Sequence, residues 1–466
     1  MGPFSYDSRP RDRGGIGMSE RNWAADHPAV KAYIEEVCQQ VKAKDIHMDI
    51  AQEMLSHLEE LTEEKLASGR LSRDEAVTEA LKHMGEAREI GRGFHAVHRP
   101  KPEWSVIALA AGMVIIAVLA LFAMPAYPSG NQANNAVKWV CGGVGITLMI
   151  LFYFADYRKL LKWSWPLYWI TIGLMTYAWL FGPEVNGFRK FIRVGAFGLD
   201  MFTLSSYLLL IAIAGLLHQE QRKDSKSDAK WLRSLKAVRN LAAYAWIPSF
   251  LYLISPSLAA FIPYAVGLFV LLVLSGRIKL LLASGSAILL GLLLIMNNLP
   301  HYMSLKVRLG GILQLNWIGG FQTNVILDTI RSGGMWGQGF AVPNESLLHM
   351  YSEMLFPNLV YSLGWVFGAF VILVVFGFVF RTLRMGQRLH DQYGKYIVFG
   401  AGTVFTVRLV WNILMSLGLV PVIGFDLPIL NWSSVTIFEF AVAGLMLSIY
   451  RRKDMVSRLQ PANPFR

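Results

Sequence analysis

The sequence predicts an all-α, polytopic membrane protein, with about ten transmembrane helices behind a small N-terminal cytoplasmic helical domain. Three observations carry that expectation. Of 466 residues, 54% are hydrophobic and only 16% charged, with mean hydropathy +0.40, a balance far too apolar for an ordinary soluble domain. After residue 103 the apolar residues come in blocks, most near the ~20 residues a helix needs to cross a bilayer. The cations gather in the short connections between alternate blocks, as the positive-inside rule requires. The net charge of +12 is therefore a topology signal, and no nucleic-acid partner is expected.

Residues 1–27 read as a disordered start. Gly14, Gly15 and Gly17 break any pattern, residues 1–18 hold no apolar signal-peptide core, and Met18 is a second candidate start. Residues 28–98 read as the helical domain. Ile46, Ile50, Met54, Leu58 and Leu61 recur at helical spacing, and Gly69 can end that helix. Ser72 and Glu75 form the next start signal, a capping box, and Gly85 a stop. Six of the ten histidines (His27, His47, His57, His83, His95 and His98) fall in or beside this module. None is spaced with a supporting carboxylate as metal ligands are, so they read as solvated helix faces. Cys38 and Cys141 lie in different regions and predict no disulfide. Pro100 and Pro102 mark a linker to the membrane.

The apolar segments fall near 104–127, 137–155, 164–182, 199–217, 241–255, 257–275, 280–297, 356–380, 397–419 and 430–449. With the N terminus inside, one face collects Arg158, Lys159 and Lys162, then the cations of 222–239, then Arg277 and Lys279, then Arg381, Arg384 and Arg388, then Arg451, Arg452 and Lys453. Both termini, including the tail 451–466, are thus expected in the cytoplasm. The long segment 298–355 is expected outside.

Three places invite chemistry. The outside loop PEVNGFRKFIRVGAFG carries Arg189, Lys190 and Arg193 on the wrong face for the charge rule. Anionic lipid headgroups or a pyrophosphate would give them a use, since arginine grips phosphate bidentately. In 298–355, Gly333, Gly334, Gly337 and Gly339 allow sharp turns or close approach to a ligand. Glu345 and Glu353 follow, and Glu353 stands where that loop enters an apolar run. Partial desolvation there would suit it to act as a general base; a solvated helix-start acid is the alternative. Arg408 and Glu439 lie inside apolar segments, where charges are paired or line a cavity. An Arg408–Glu439 pair or an Arg408-lined polar cavity is expected, with Asn412 one turn on and on the same face.

The stretches NGFRKFIRVG (186–195), FQTNVILDTIRSGGMWGQG (321–339) and WNILMSLGLVPVIGFDLPIL (411–430) occur in an order that resembles the SEDS family, the shape, elongation, division and sporulation proteins. The likeness covers roughly residues 104–450. The motif HLEELTEEKLASGRLSRDEAVTEALKHMG resembles the helical prefix domain of some bacterial permeases, which implies a regulatory or docking role. The SEDS resemblance implies a ten-helix peptidoglycan glycosyltransferase of the bacterial cytoplasmic membrane, working beside a class B penicillin-binding protein on lipid II, an undecaprenyl-pyrophosphate-linked saccharide. It implies Glu353 as the catalytic carboxylate. Arg189, Lys190 and Arg193 would hold pyrophosphate, and Gln322 with the 333–339 glycines would shape the site. A divalent cation, Mg or Mn, could bridge pyrophosphate and carboxylate, though the sequence does not show one.

The chain departs from the family pattern at three places. Glu353, in Ser352-Glu353-Met354, stands where the family has aspartate. Asp200-Met201-Phe202-Thr203 replaces its Q-P-S-E, with Ser206 at the position of a lysine. Asn431-Trp432-Ser433-Ser434 replaces S-Y-G-G-S-S. Two other readings therefore stay open: a catalytically silent scaffold for a penicillin-binding protein, and a carrier for the lipid-linked precursor.

Overall fold

The computed structural model describes residues 27–42, 47–67, 72–98, 104–123, 132–185, 188–195, 197–223, 236, 238–240, 242–255, 257–277, 282, 285, 321–340, 342 and 353–453. Most of the segment 280–297, all of 298–320, Glu345, Ile46, Gly69, the start before His27 and the tail after Lys453 lie outside them. The chain divides into two compact units, the second running from Pro102 to Lys453.

In the first unit, helices α1 (Pro28–Gln40), α2 (His47–Ala67), α3 (Arg73–Met84) and α4 (Ala87–His98) pack around small apolar cores. The capping box is present. The Ser72 hydroxyl accepts from the Glu75 amide at 3.4 Å, and the Ser72 amide donates to Glu75 at 2.9 Å. The bond from the Ser72 amide, with the Ser72 hydroxyl donating to the same carboxylate at 2.8 Å, holds the Glu75 carboxyl below its ordinary value. Gly85 closes α3 at φ +93°, a conformation glycine adopts without strain.

The second unit is built from α5 (Trp104–Ala123), α6 (Gln132–Phe154), a 3₁₀ turn (Tyr157–Trp163), α7 (Ser164–Phe181), α8 (Met201–Lys223), α9 (Ile247–Ile254), α10 (Leu258–Leu274), α11 (Phe321–Gly333), α12 (Leu355–Gln387), α13 (Gln392–Ser416) and α14 (Ser434–Arg451). It is a polytopic helical membrane protein. The expected ten spans need correction. Among the described residues, five helices are long and apolar enough to cross a membrane: α5, α6 over Ala136–Phe154, α8 over Met201–Gln221, α12 and α13. Helix α10 is apolar but has 17 residues, and the fifth predicted segment forms a π turn (Ala242–Trp246) and the 8-residue α9. Helix α14 carries the buried Glu439. Helices inside a bundle face protein, so their composition need not be that of a lipid-facing span.

The basic loop expected outside is not coil. Strands β1 (Glu184–Val185) and β2 (Phe188–Arg189) pair antiparallel, as do β3 (Phe191–Val194) and β4 (Phe197–Asp200), with Phe191 opposite Asp200 and Arg193 opposite Gly198. The Ser434 hydroxyl donates to the Gly198 carbonyl at 2.6 Å and the Ser255 hydroxyl to that of Arg189 at 3.3 Å. These bonds dock the two ribbons on α14 and the end of α9.

Helix α12 is two helices joined at Gly364, which stands at φ 82°, ψ 172°. A break strips backbone groups of their helical partners, and buried groups must find others. The turn after α11 supplies them. Gln338 and Gly339 amides donate to the Tyr361 and Ser362 carbonyls at 2.9 and 3.1 Å. In return the Trp365 and Val366 amides donate to the Gly334 and Met335 carbonyls at 3.0 and 3.3 Å. The approach is backbone to backbone: a β-carbon on Gly337 would lie 2.3 Å from the Ser362 oxygen, and one on Gly364 2.2 Å from that of Met335.

Candidate functional site

The site forms where the ribbons, the head of α12 and the turn between α13 and α14 meet. Asp200 ends β4 and begins α8. Its carboxylate accepts from the Thr203 amide at 3.0 Å, an N-cap bond, and holds the Lys190 ammonium at 3.0 Å. Burial works against the charge on Lys190, but Asp200, then Glu353 and Asp426, outweigh it. The ammonium is held above its ordinary value and stays protonated. Lys190 is therefore turned toward carboxylates, whereas Arg189 and Arg193 face solvent. Arg189 makes a loose pair with Glu184 at 3.8 Å, both about half exposed, a geometry of little energetic weight.

Glu353 lies just before α12. Its main-chain carbonyl accepts from Asn412 Nδ2 at 2.9 Å, and the same amide group donates to the Phe425 carbonyl. Asn412 thus ties the head of α12 to the 417–433 turn. Gly424 stands at φ +102° against the acid itself, where a β-carbon would come within 3.0 Å of Glu353 Oε1.

Behind this lies the intramembrane charge. Arg408 is 1% exposed and does pair with Glu439. It also pairs with Asp426 and donates to the Tyr207 hydroxyl at 3.0 Å. Glu439 in turn accepts from the Ile429 amide at 2.8 Å. Burial pushes the Asp426 carboxyl up, but Arg408, helped by the Asn431 amide, pulls it below its ordinary value.

Arg408, Asn412, Glu439, Lys190 and Glu353 are therefore linked in one network. The 333–339 glycines are engaged with the α12 break instead. Ser362 is nine residues past Glu353, roughly 13 Å along a helix. Gln322 is exposed on α11. Asp426 is the residue that sequence reasoning passed over, because it lies within a stretch read whole as a family motif. An acid in the apolar run VIGFDLPIL was the available signal. Among the described residues, no group of three or more His, Cys, Asp or Glu side chains is placed to hold a metal ion.

Comparison with known proteins agrees with this architecture. The chain is 24% identical over 318 residues to a probable peptidoglycan glycosyltransferase FtsW of Aliivibrio salmonicida, covering 66% of this chain and 76% of the relative. It is 24% identical over 322 residues to stage V sporulation protein E of Bacillus subtilis, covering 66% and 84%. Among solved structures, one of a peptidoglycan synthase complex that coordinates polymerization and crosslinking superposes with a TM-score of 0.60 at 20% identity, covering 76% of this chain and 98% of that one. The Thermus thermophilus rod shape determining protein RodA gives 0.53 at 20% identity, covering 76% and 97%. The family model described as cell cycle protein, which spans FtsW, RodA and SpoVE, matches residues 103–455. By that match, which runs from just before α5 to just beyond α14, the chain belongs to the FtsW, RodA and SpoVE family of cell cycle proteins.

Proposed function

We propose that this protein is a peptidoglycan glycosyltransferase that polymerises lipid II on the outer face of the bacterial cytoplasmic membrane. The observation that carries the reading is the Lys190–Asp200 pair, within electrostatic reach of Glu353 and Asp426, beside two ribbons that each expose one arginine. In the reaction, Glu353 takes the proton from the C4 hydroxyl of one saccharide as its oxygen bonds to the anomeric carbon of another. The bond from that carbon to undecaprenyl pyrophosphate breaks, and the pyrophosphate leaves with the electron pair. Arg189 and Arg193 hold the leaving group and neutralise the charge that develops on it. Lys190, paired with Asp200, sets a positive charge among these carboxylates.

The charge pattern supports both termini in the cytoplasm and the ribbons outside. A class B penicillin-binding protein is the expected partner, since glycan strands must be crosslinked. The test is product accounting in proteoliposomes holding purified lipid II. A polymerase releases undecaprenyl pyrophosphate in step with new glycosidic bonds. Movement of the headgroup across the bilayer without that release would mean a carrier. Capture of the penicillin-binding protein with no release at all would mean a scaffold.

A further inference from the structure

We propose that the turn at residues 424–432, clamped by Arg408, is a template that sets the Glu353 carboxylate, so that this site is fitted to glutamate and not to the shorter aspartate of the family pattern. The inference rests on the glycosyltransferase reading and adds to it which residues position the base. The turn is pinned along its length. Asn412 holds the Phe425 carbonyl, Arg408 holds the Asp426 side chain, and Glu439 holds the Ile429 amide. It is held against its own preference, because Ile429 at φ 69° and Trp432 at φ 48° occupy the left-handed region without being glycine. Such conformations persist only where the surroundings over-determine them. The pinned turn presents Gly424 to the acid, so closely that a β-carbon there would lie 3.0 Å from Glu353 Oε1 and crowd the carboxylate. Asn412 fixes the other end of the same residue through the Glu353 carbonyl. The glutamate side chain runs from the Asn412-bonded main chain to Gly424 of the turn. Removing one methylene withdraws the carboxylate by about 1.5 Å, the length of a carbon–carbon bond, and the pinned turn does not follow it.

The experiment compares wild type with Glu353→Asp in lipid II polymerisation, reading kcat and KM separately. A misplacement on this scale costs about a hundredfold in rate. The expected result is therefore a fall of that order in kcat with KM little changed. A Glu353→Asp enzyme as fast as wild type, or faster, overturns the proposal. Should wild type not polymerise, the glycosyltransferase reading fails, and the template is judged by thermal unfolding in nanodiscs instead. Gly424→Ala, Glu353→Ala and the double variant form a cycle. Contact between the turn and the acid predicts that Glu353→Ala offsets part of the damage done by Gly424→Ala. Strictly additive losses overturn the template whatever the activity.

Discussion

Arg408 shows how far a single residue could be read from the sequence. A guanidinium within an apolar segment demands a counter-charge, and Glu439 was the visible one. The second partner, Asp426, was hidden because its place depends on how a turn folds back onto α13, which no local pattern encodes. The network makes the pair more than a helix clamp, since Asp426 and Ile429 belong to the turn beside Glu353. Removing one member of a buried ion pair leaves the other uncompensated, at about 3–5 kcal/mol. Glu439→Gln keeps the shape and is expected near the lower end of that range; Arg408→Met, which strands two carboxylates, near the upper end. Thermal unfolding in detergent measures both. Lys190 yields a pH prediction. Its value is raised above 10.5 in the folded state, so its pairing with Asp200 contributes fully below the unfolded value. That contribution is lost only as pH rises through the still higher folded value. Wild type is therefore expected to keep its stability from neutral pH up to the ordinary lysine range. Lys190→Met should remove the alkaline step that follows, which unfolding measured across alkaline pH would reveal.

Among the elements, most of the helices of the second unit were legible because long apolar runs leave little else to form in a bilayer. The ribbons were missed although their signal was present. Asn186-Gly187 is a strong hairpin dipeptide, and Phe191 with Ile192 to Val194 suits a strand, but the cations drew the reading toward a loop. The break in α12 was equally hidden. Gly364 in an apolar run looks like any membrane glycine, and only the turn after α11 reveals that its backbone groups are taken by another segment. The glycines at 333–339, read as allowing sharp turns or close approach to a ligand, take part at this scale in that same exchange. Gly364→Ala places a β-carbon at φ 82° and 2.2 Å from the Met335 oxygen. Strain of this kind alone costs about 1–3 kcal/mol, and the collision adds to it. Gly337→Ala meets the Ser362 oxygen and should be similarly harmful. Gly334→Ala, also at positive φ but with open space around it, should show only the backbone cost. The ordering of the three melting temperatures checks the assignment.

For the whole molecule, the family was legible because its motifs recur in order across the membrane unit, and the family match covers the same span. Activity was not legible from order alone, since the acid differs from the family residue and its placement is a matter of tertiary geometry. The proposed orientation rests on charge and is open to a direct test. Single cysteines introduced at Arg193 are expected to react with an impermeant thiol reagent from outside intact cells, and cysteines at Lys159 only after the membrane is opened, in a background lacking Cys38 and Cys141. The central claim is that this bundle places Glu353 to take a proton from a sugar hydroxyl. Its most direct test is glycan synthesis from purified lipid II by the reconstituted protein, with and without a bound penicillin-binding partner, comparing wild type with Glu353→Gln. The account predicts strands from wild type and none from the variant, with the variant still folded and still binding its partner. Strands from both would contradict Glu353 as the base, and strands from neither, with the partner bound, would contradict the polymerase itself.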